Sequence, residues 1–169
     1  MVSGGLLKGC SIFEELSDAE LEKVMKLSHS QEYEAGVTVF KEGGTADQFH
    51  VLNKGKIALQ MNLSLSDQSF AKRITVDTVG KWEAVGWSAL VEPHRYTLTA
   101  VCLEPTKVLG IDATRLRALL EEDHGMACKI FRRLIGMVAS RLEETRRVLI
   151  SERLVSMDEP RAFFPGVMG

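Results

Sequence analysis

The segment VGWSALVEPHRYT, residues 85–97, carries residue types suited to holding a small anion. Gly86 allows a sharp backbone turn that a Cβ would hinder, and the residues after it favour the start of a helical turn. The first N–H groups of such a turn lack intrahelical partners and form a nest for an anion. Small side chains at Ser88 and Ala89 would let a phosphate approach closely. The pattern predicts an anion cradle, with a plain strand-to-helix corner as the alternative.

The four residues at 94–97, which follow the turn, could complete this cradle. If 95–102 is a strand, alternation sends Arg95 to the face opposite Tyr96, whereas His94 shares the side of Tyr96. A protonated His94 together with the hydroxyls of Tyr96 and Thr97 could hold an anion weakly. The alternative is that Arg95 is a solvated surface charge and His94 a loop residue.

Composition narrows the possible functions. A chain of 169 residues suits a single domain, and a net charge of −2 argues against broad contact with nucleic acid. Three cysteines without a CxxC pair predict neither a disulfide framework nor a zinc cluster, and we expect Cys102 and Cys128 to be small buried residues. No apolar run has the length of a signal peptide or a membrane span. These features predict a cytoplasmic protein that does not contact a membrane.

The sequence contains none of the common catalytic signatures. A nucleophile elbow, a Walker A motif and an HExxH motif are all missing, and the four histidines are scattered. No set of four cysteines is available for an iron–sulfur cluster. We therefore predict that the protein is not an enzyme and uses no metal and no cofactor, so that any small anion would be a ligand.

The surrounding segments predict the elements that position the cradle. In LSDAELEKVMKL (16–27), Ser17 and Glu20 have the spacing of a capping box at a helix start. Between about 30 and 111 the chain changes to short runs rich in β-branched and aromatic residues, separated by glycine turns. Short strands with few helices between them predict an antiparallel barrel or jelly roll.

Helical periodicity returns after the strands. Residues 112–123 form a predicted helix with Asp112 as N-cap, and a long helix follows at about 125–154. The long helix has two apolar faces. One has the alternating spacing of a two-stranded coiled coil and comprises Phe131, Ile135, Val138, Leu142, Thr145 and Leu149. The second comprises Ile130, Leu134 and Met137 and could lie against the barrel. The pattern predicts a homodimer through this helix, with one broad intramolecular face as the alternative.

This order of segments resembles the cyclic-nucleotide-binding domain family, especially the sensor domains of catabolite-activator-type bacterial regulators. The resemblance covers roughly residues 8–150 and is most specific in FKEGGTADQFHVLNKGKI (40–57) and in the GxxAL pattern of 86–90. It implies an α+β, mainly β fold. This would be a double-stranded β-helix jelly roll with flanking N-terminal helices and a long C-terminal dimerisation helix. Residues 86–90 would then be the phosphate-binding cassette.

Two positions depart from the family pattern. Trp87 stands where the family has a glutamate for the ribose hydroxyl, and Tyr96 stands where it has an arginine for the cyclic phosphate. Loss of such a charge-assisted contact removes roughly 1.5–3 kcal/mol, about 10-fold to 100-fold in affinity. The two aromatic side chains could stack on a flat ligand or pack on each other and close the site. The resemblance therefore implies an atypical or weakened site, built from Gly86, Trp87, Ser88, Ala89, Leu90, His94, Arg95, Tyr96 and Thr97.

Together these features predict a regulatory or sensor module. Residues 1–155 would form the domain and 156–169 a tail, and ligand binding would move 86–91 and a hinge near 123–125. Thr145 matches a position from which the family touches the base, or it is a tolerated polar residue of the coiled coil. The helix dimer could signal to a protein partner, whereas the chain alone would bind no nucleic acid. Alternatives are a dimerisation scaffold with an empty cassette, and the sensor part of a transcription regulator whose DNA-binding part lies elsewhere.

Overall fold

A computed structural model describes the fold of residues 5–64 and 71–158. Within these residues, strands occupy the middle of the chain and helices lie on either side of them. In chain order, the elements are α1 (Gly5–Lys8), α2 (Asp18–Met25), β1 (Ser28–Tyr33), β2 (Thr38–Phe40), β3 (Gln48–Lys54), β4 (Ile57–Ser64), β5 (Ala71–Val79), β6 (Ala84–Val85), β7 (Thr99–Cys102), β8 (Thr106–Asp112), α3 (Ala113–Glu122) and α4 (His124–Asp158).

The strands form two antiparallel four-stranded sheets, which confirms the mainly β jelly-roll prediction. One sheet has the order β1-β8-β3-β6 and the other β2-β7-β4-β5. The turns at Gly36, Gly43 and Gly55 have positive φ angles, as expected of glycine at strand ends. The predicted strand at 95–102 begins only at Thr99, and Arg95 forms an isolated bridge with Thr45 instead.

Alternation along β3 assigns its residues to two different layers. Phe49 packs edge-on against Phe13 of the N-terminal segment, with ring centroids 6.0 Å apart. His50 points the other way and stacks on Phe40 of the second sheet, at 5.7 Å. Consequently, a hydrophobic core lies beneath the N-terminal segment, and a separate interior lies between the sheets.

Helices α2 and α3 begin at the capping residues that the sequence predicts. Ser17 and Glu20 form the predicted capping box of α2, and Asp112 caps α3 by accepting the N–H of Arg115. A single residue, Asp123, separates α3 from α4, at the predicted hinge. Asp123 caps α4 through the N–H of Met126 and pairs with Lys23 of α2 at 2.9 Å.

The long helix differs from its predicted bounds of 125–154. It runs to Asp158 and so includes the start of the predicted tail at 156–169, of which 159–169 lies outside the described residues. The chain divides into two compact units, Met1–Arg133 and Leu134–Gly169. Within the described part of the chain, none of the helices has the length and apolarity needed to cross a bilayer.

The cysteine prediction was right for Cys102 and wrong for Cys128. Cys102 is buried, as is Cys10, and burial raises the pKa of the Cys10 thiol to about 11. Cys128 is exposed because it lies on α4 at helical spacing from Phe131 and Ile135, which are exposed as well.

Candidate ligand site

The predicted turn after β6 is present as a short 3-10 helix, Trp87–Leu90, here called the cassette turn. Gly86 precedes it in the left-handed conformation, with φ 78° and ψ 28°. A Cβ at Gly86 would lie 3.2 Å from both the Gln48 carbonyl oxygen and Cε1 of Tyr96. Glycine is therefore required here both by backbone conformation and by space.

The side chains that follow Trp87 in the cassette turn face the core. Ser88, Ala89 and Leu90 are all buried, which agrees with the corner interpretation of these residues. The N–H of Ala89 donates to the Gly86 carbonyl at 2.9 Å, so the preceding N–H groups, on Trp87 and Ser88, come before the first hydrogen bond of the turn. The backbone, rather than the small side chains, is what this turn can present to an anion.

Arg117 of α3 holds the far end of the cassette turn, a contact the sequence analysis missed. Its Nη1 donates to the Ala89 carbonyl at 2.6 Å, and its Nη2 donates to the Thr114 hydroxyl at 3.2 Å. The guanidinium therefore satisfies a carbonyl at the C-terminal end of a short helix, where acceptors lack intrahelical donors. No sequence pattern identifies this role, because it depends on how α3 lies against the turn.

Tyr96 is turned inward beneath the cassette turn. Its ring stacks on Phe40 with centroids 3.9 Å apart and 12° between planes, and its hydroxyl donates to the Gln48 carbonyl at 2.8 Å. Only 5% of the residue is exposed, and burial raises the pKa of its hydroxyl to about 12. Tyr96 is thus an uncharged side chain that lines the interior. Its described ring contact is with Phe40 rather than with Trp87.

The other predicted cassette residues lie nearer the surface. Arg95 is exposed, and its Nη1 donates to the Gly43 carbonyl at 2.7 Å, which agrees with a surface role. His94 is half-buried in a positive-φ conformation, and its backbone N–H donates to the Val91 carbonyl. Trp87 is half-buried and Thr97 exposed. The structure therefore brings Gly86 and Tyr96 together but leaves Arg95 and Thr97 outside the interior.

His50 lies directly under Gly86, and it too was missed by the sequence analysis. Its Nδ1 is 3.6 Å from the position that a Cβ on Gly86 would take, and only 2% of the residue is exposed. Among the described residues Nδ1 has no hydrogen-bond partner, and burial lowers the imidazole pKa to about 4. The histidine is therefore neutral at physiological pH. It lies in the run QFHVLNK, where the neighbouring apolar residues give no sequence signal that a polar side chain points inward.

Two cavities open beside this layer. The larger, about 510 Å³, lies where α2, β1 and the start of α3 meet. The smaller, about 310 Å³, lies between β1, β2 and β3 and is lined by Phe40, His50 and Tyr96. Asp47 and Gln48 line both, so the two cavities adjoin. Trp87 lines neither of them.

Comparison with known proteins agrees with this architecture. The model of the cyclic nucleotide-binding domain family matches residues 30–123. A putative cyclic nucleotide-binding protein of Geobacter metallireducens is similar in structure, with 25% identity, a TM-score of 0.72, and coverage of 84% of this chain and 99% of that one. A cyclic nucleotide-binding domain from Methylobacillus flagellatus gives a TM-score of 0.74 at 14% identity, covering 87% and 82%. The latter likeness concerns the fold alone.

A curated relative places the domain in a longer protein. A putative potassium channel protein of Rhodopseudomonas palustris is 22% identical over 159 residues, which are 94% of this chain and 37% of the relative. The chain thus spans little more than a third of the length of that relative. The family match covers more than half of the chain, and the two-sheet roll with its cassette turn agrees with it. The chain belongs to the cyclic nucleotide-binding domain family.

Proposed function

We propose that the chain is a non-enzymatic regulatory module whose cassette is atypical and has a weakened affinity for ordinary cyclic nucleotides. The observation that carries this proposal is the position of Tyr96. At the place where the family resemblance puts a phosphate-neutralising arginine, the chain has a neutral ring stacked on Phe40, its hydroxyl bonded to the Gln48 carbonyl. The backbone turn that could hold an anion is retained, and a tyrosine replaces the arginine that would neutralise that anion.

The energetic consequence follows from the missing cation. A charge-assisted contact to a phosphate contributes roughly 1.5–3 kcal/mol, equivalent to about 10-fold to 100-fold in affinity. Arg95, the nearest cation along the chain, donates to the Gly43 carbonyl from the surface and does not replace it. Trp87, at the family's glutamate position, also removes an acceptor for the sugar hydroxyl.

The test compares wild type with Trp87→Glu, Tyr96→Arg and the double variant by isothermal titration calorimetry, using cyclic AMP and cyclic GMP. Tyr96→Phe is the matched control, because it retains a ring against Phe40 and adds no charge. We expect the double variant to bind at least about 10-fold more tightly than wild type and Tyr96→Phe to bind no better. Equal, tight binding by wild type and the double variant would contradict the proposal.

We also propose that the module signals through a homodimer of α4. Support comes from the exposure of large apolar side chains along the predicted coiled-coil face. Phe131, Ile135, Leu142 and Leu149 are 37%, 68%, 49% and 51% exposed, and Val138 is half-buried. Apolar side chains repeated every three and four residues are typical of helices that pair. The Thr145 hydroxyl donates to the Arg141 carbonyl at 2.8 Å, which suits a polar residue within such a face.

A structural scaffold with an empty cassette is the second candidate. It is favoured by the Phe40–Tyr96 stack, because the stack fills the interior beneath Gly86. A thermal-shift screen with cyclic mononucleotides and dinucleotides, other nucleotides and small organic anions separates the candidates. A reproducible shift that Trp87→Ala abolishes supports a sensor, and no shift across the panel supports the scaffold.

A further inference from the structure

The cavity of about 310 Å³ adjoins the larger cavity and lies beside the interior layer of Phe40, His50 and Tyr96. It is bounded by β1, by β2 and by the segment that leads into β3, and three of its lining residues, Gln48, His50 and Tyr96, also lie against Gly86 of the cassette turn. Neither Ser88 nor Thr97 lines it. A volume near 300 Å³ lies at the lower end of the range for small-molecule sites. A ligand of one or two rings fits that size.

The polar groups of this cavity are held in fixed orientations. The Gln31 side-chain amide donates to Oε1 of Gln48 at 3.0 Å, and the Tyr33 hydroxyl donates to Oε1 of Gln31 at 3.2 Å. Because Gln31 donates to Oε1 of Gln48, the NH₂ is the part of the Gln48 amide that can donate to a ligand. The cavity therefore has an oriented Gln48 amide beside the aromatic rings of Phe40 and Tyr96.

His50 adds a buried polar group that the protein itself does not satisfy. It lines the cavity, only 2% of it is exposed, and Nδ1 has no partner among the described residues. A neutral imidazole has one N–H donor and one acceptor nitrogen, and leaving Nδ1 unpaired in the interior costs free energy. A ligand that hydrogen-bonds to the ring would offset part of that cost.

The charges around the cavity favour an uncharged ligand. One cation, Lys41, and one carboxylate, Asp47, line it, so its charged residues balance. A cyclic phosphate or a carboxylate would gain no net attraction there, unlike at a phosphate cradle.

We propose that this cavity is a second ligand site, which accepts an uncharged planar heterocycle with hydrogen-bonding groups on its edge. Phe40 and Tyr96 contact the ring, and His50 and the Gln48 amide bind its polar edge. This proposal does not depend on the proposed weakening of the cassette. The chemistry of the cavity differs from that of the cassette because the cavity offers an anion no net attraction to offset the loss of the anion's hydration.

Nicotinamide and nicotinate form a matched pair of probes, since they share a pyridine ring and differ in charge. Long-range ¹H–¹⁵N spectra of the histidine side chains of the full chain report directly on His50. Its signals are assigned by their loss in His50→Phe, which retains a ring against Phe40 and removes both nitrogens. We expect nicotinamide to shift the His50 signals saturably, and nicotinate to bind at least about 10-fold more weakly.

Substitutions of residues that line the cavity then test whether nicotinamide binds there. His50→Phe and Gln48→Leu are expected to weaken nicotinamide binding at least about 10-fold, measured by saturation-transfer NMR, whereas the exposed-site control Glu104→Gln leaves it unchanged. If His50→Phe does not fold, Gln48→Leu provides the same comparison. Absence of a saturable His50 shift at about 10 mM nicotinamide, equal binding of nicotinate, or undiminished binding by the folded variants would each overturn the proposal. Cyclic nucleotide titrations are scored separately, so either proposal can fail alone.

Discussion

Protonation of His50 should control the stability of this domain between pH 4 and 6.5. The imidazole is enclosed between Phe40 and Gly86, where burial lowers its pKa from 6.5 to about 4. In the unfolded chain the same group takes up a proton near pH 6.5, so the unfolded state binds more protons throughout this window. The contribution of neutral His50 to the free energy of unfolding is therefore fully present above pH 6.5, and it is lost as the pH falls towards 4.

The magnitude follows from the two pKa values. Their difference, at 1.36 kcal/mol per pH unit, corresponds to a loss of about 3 kcal/mol by pH 4, and about 2 kcal/mol of it has occurred by pH 5. Ion pairs lower the pKa of the Glu32 and Asp123 carboxyls, so the contribution of those groups is lost mainly below pH 5. Between pH 5 and 7.5, the difference between wild type and a variant without the His50 imidazole therefore reports the contribution of His50.

Urea denaturation at several pH values in this range measures the effect. Wild type should lose about 2 kcal/mol of unfolding free energy between pH 7.5 and 5 relative to His50→Phe, which keeps a ring in the same place. The surface variant His124→Gln should retain the wild-type slope. Parallel pH profiles for wild type and His50→Phe would refute the reasoning, because they would mean that His50 takes up its proton without cost.

Three further predictions concern other parts of the chain. Gly86→Ala should lower the unfolding free energy by about 1–3 kcal/mol in urea denaturation, since it forces a Cβ into a left-handed conformation 3.2 Å from Tyr96; an unchanged midpoint would contradict this. Arg117→Met should accelerate amide hydrogen exchange in the cassette turn at unchanged global stability, and exchange equal to wild type would count against the bond to the turn. Ile135→Glu should convert a dimer to a monomer in analytical ultracentrifugation, whereas Ser140→Glu, on the opposite face, should not; a dimer that survives Ile135→Glu would exclude this pairing face.

The sequence predicts most of the fold because local signals are strong where they occur. The capping box at Ser17, the N-cap at Asp112 and the positive-φ glycines each act through neighbours close in the chain. The cassette turn was likewise predictable from Gly86 and the residues after it. Elements of this kind require no knowledge of tertiary contacts.

The interior of the candidate site was not predictable in the same way. Tyr96 lies inward because Phe40 and the Gln48 carbonyl, both about fifty residues away, provide a stack and an acceptor. His50 becomes a buried, unpartnered base only because β3 turns it towards the second sheet. Periodicity assigns a side chain to a face, whereas its partner there depends on strand order and register.

The position of Tyr96 has a consequence for how the two candidate sites could influence each other. Its ring approaches Gly86 on one side and lines the neighbouring cavity on the other. A ligand that requires this ring to leave Phe40 must break the stack, whereas a molecule seated in the cavity would hold the ring in place. Each ligand would then weaken the other by the same factor, because coupling between two binding equilibria is reciprocal. One aromatic side chain would thus suffice for antagonism between two chemically different signals.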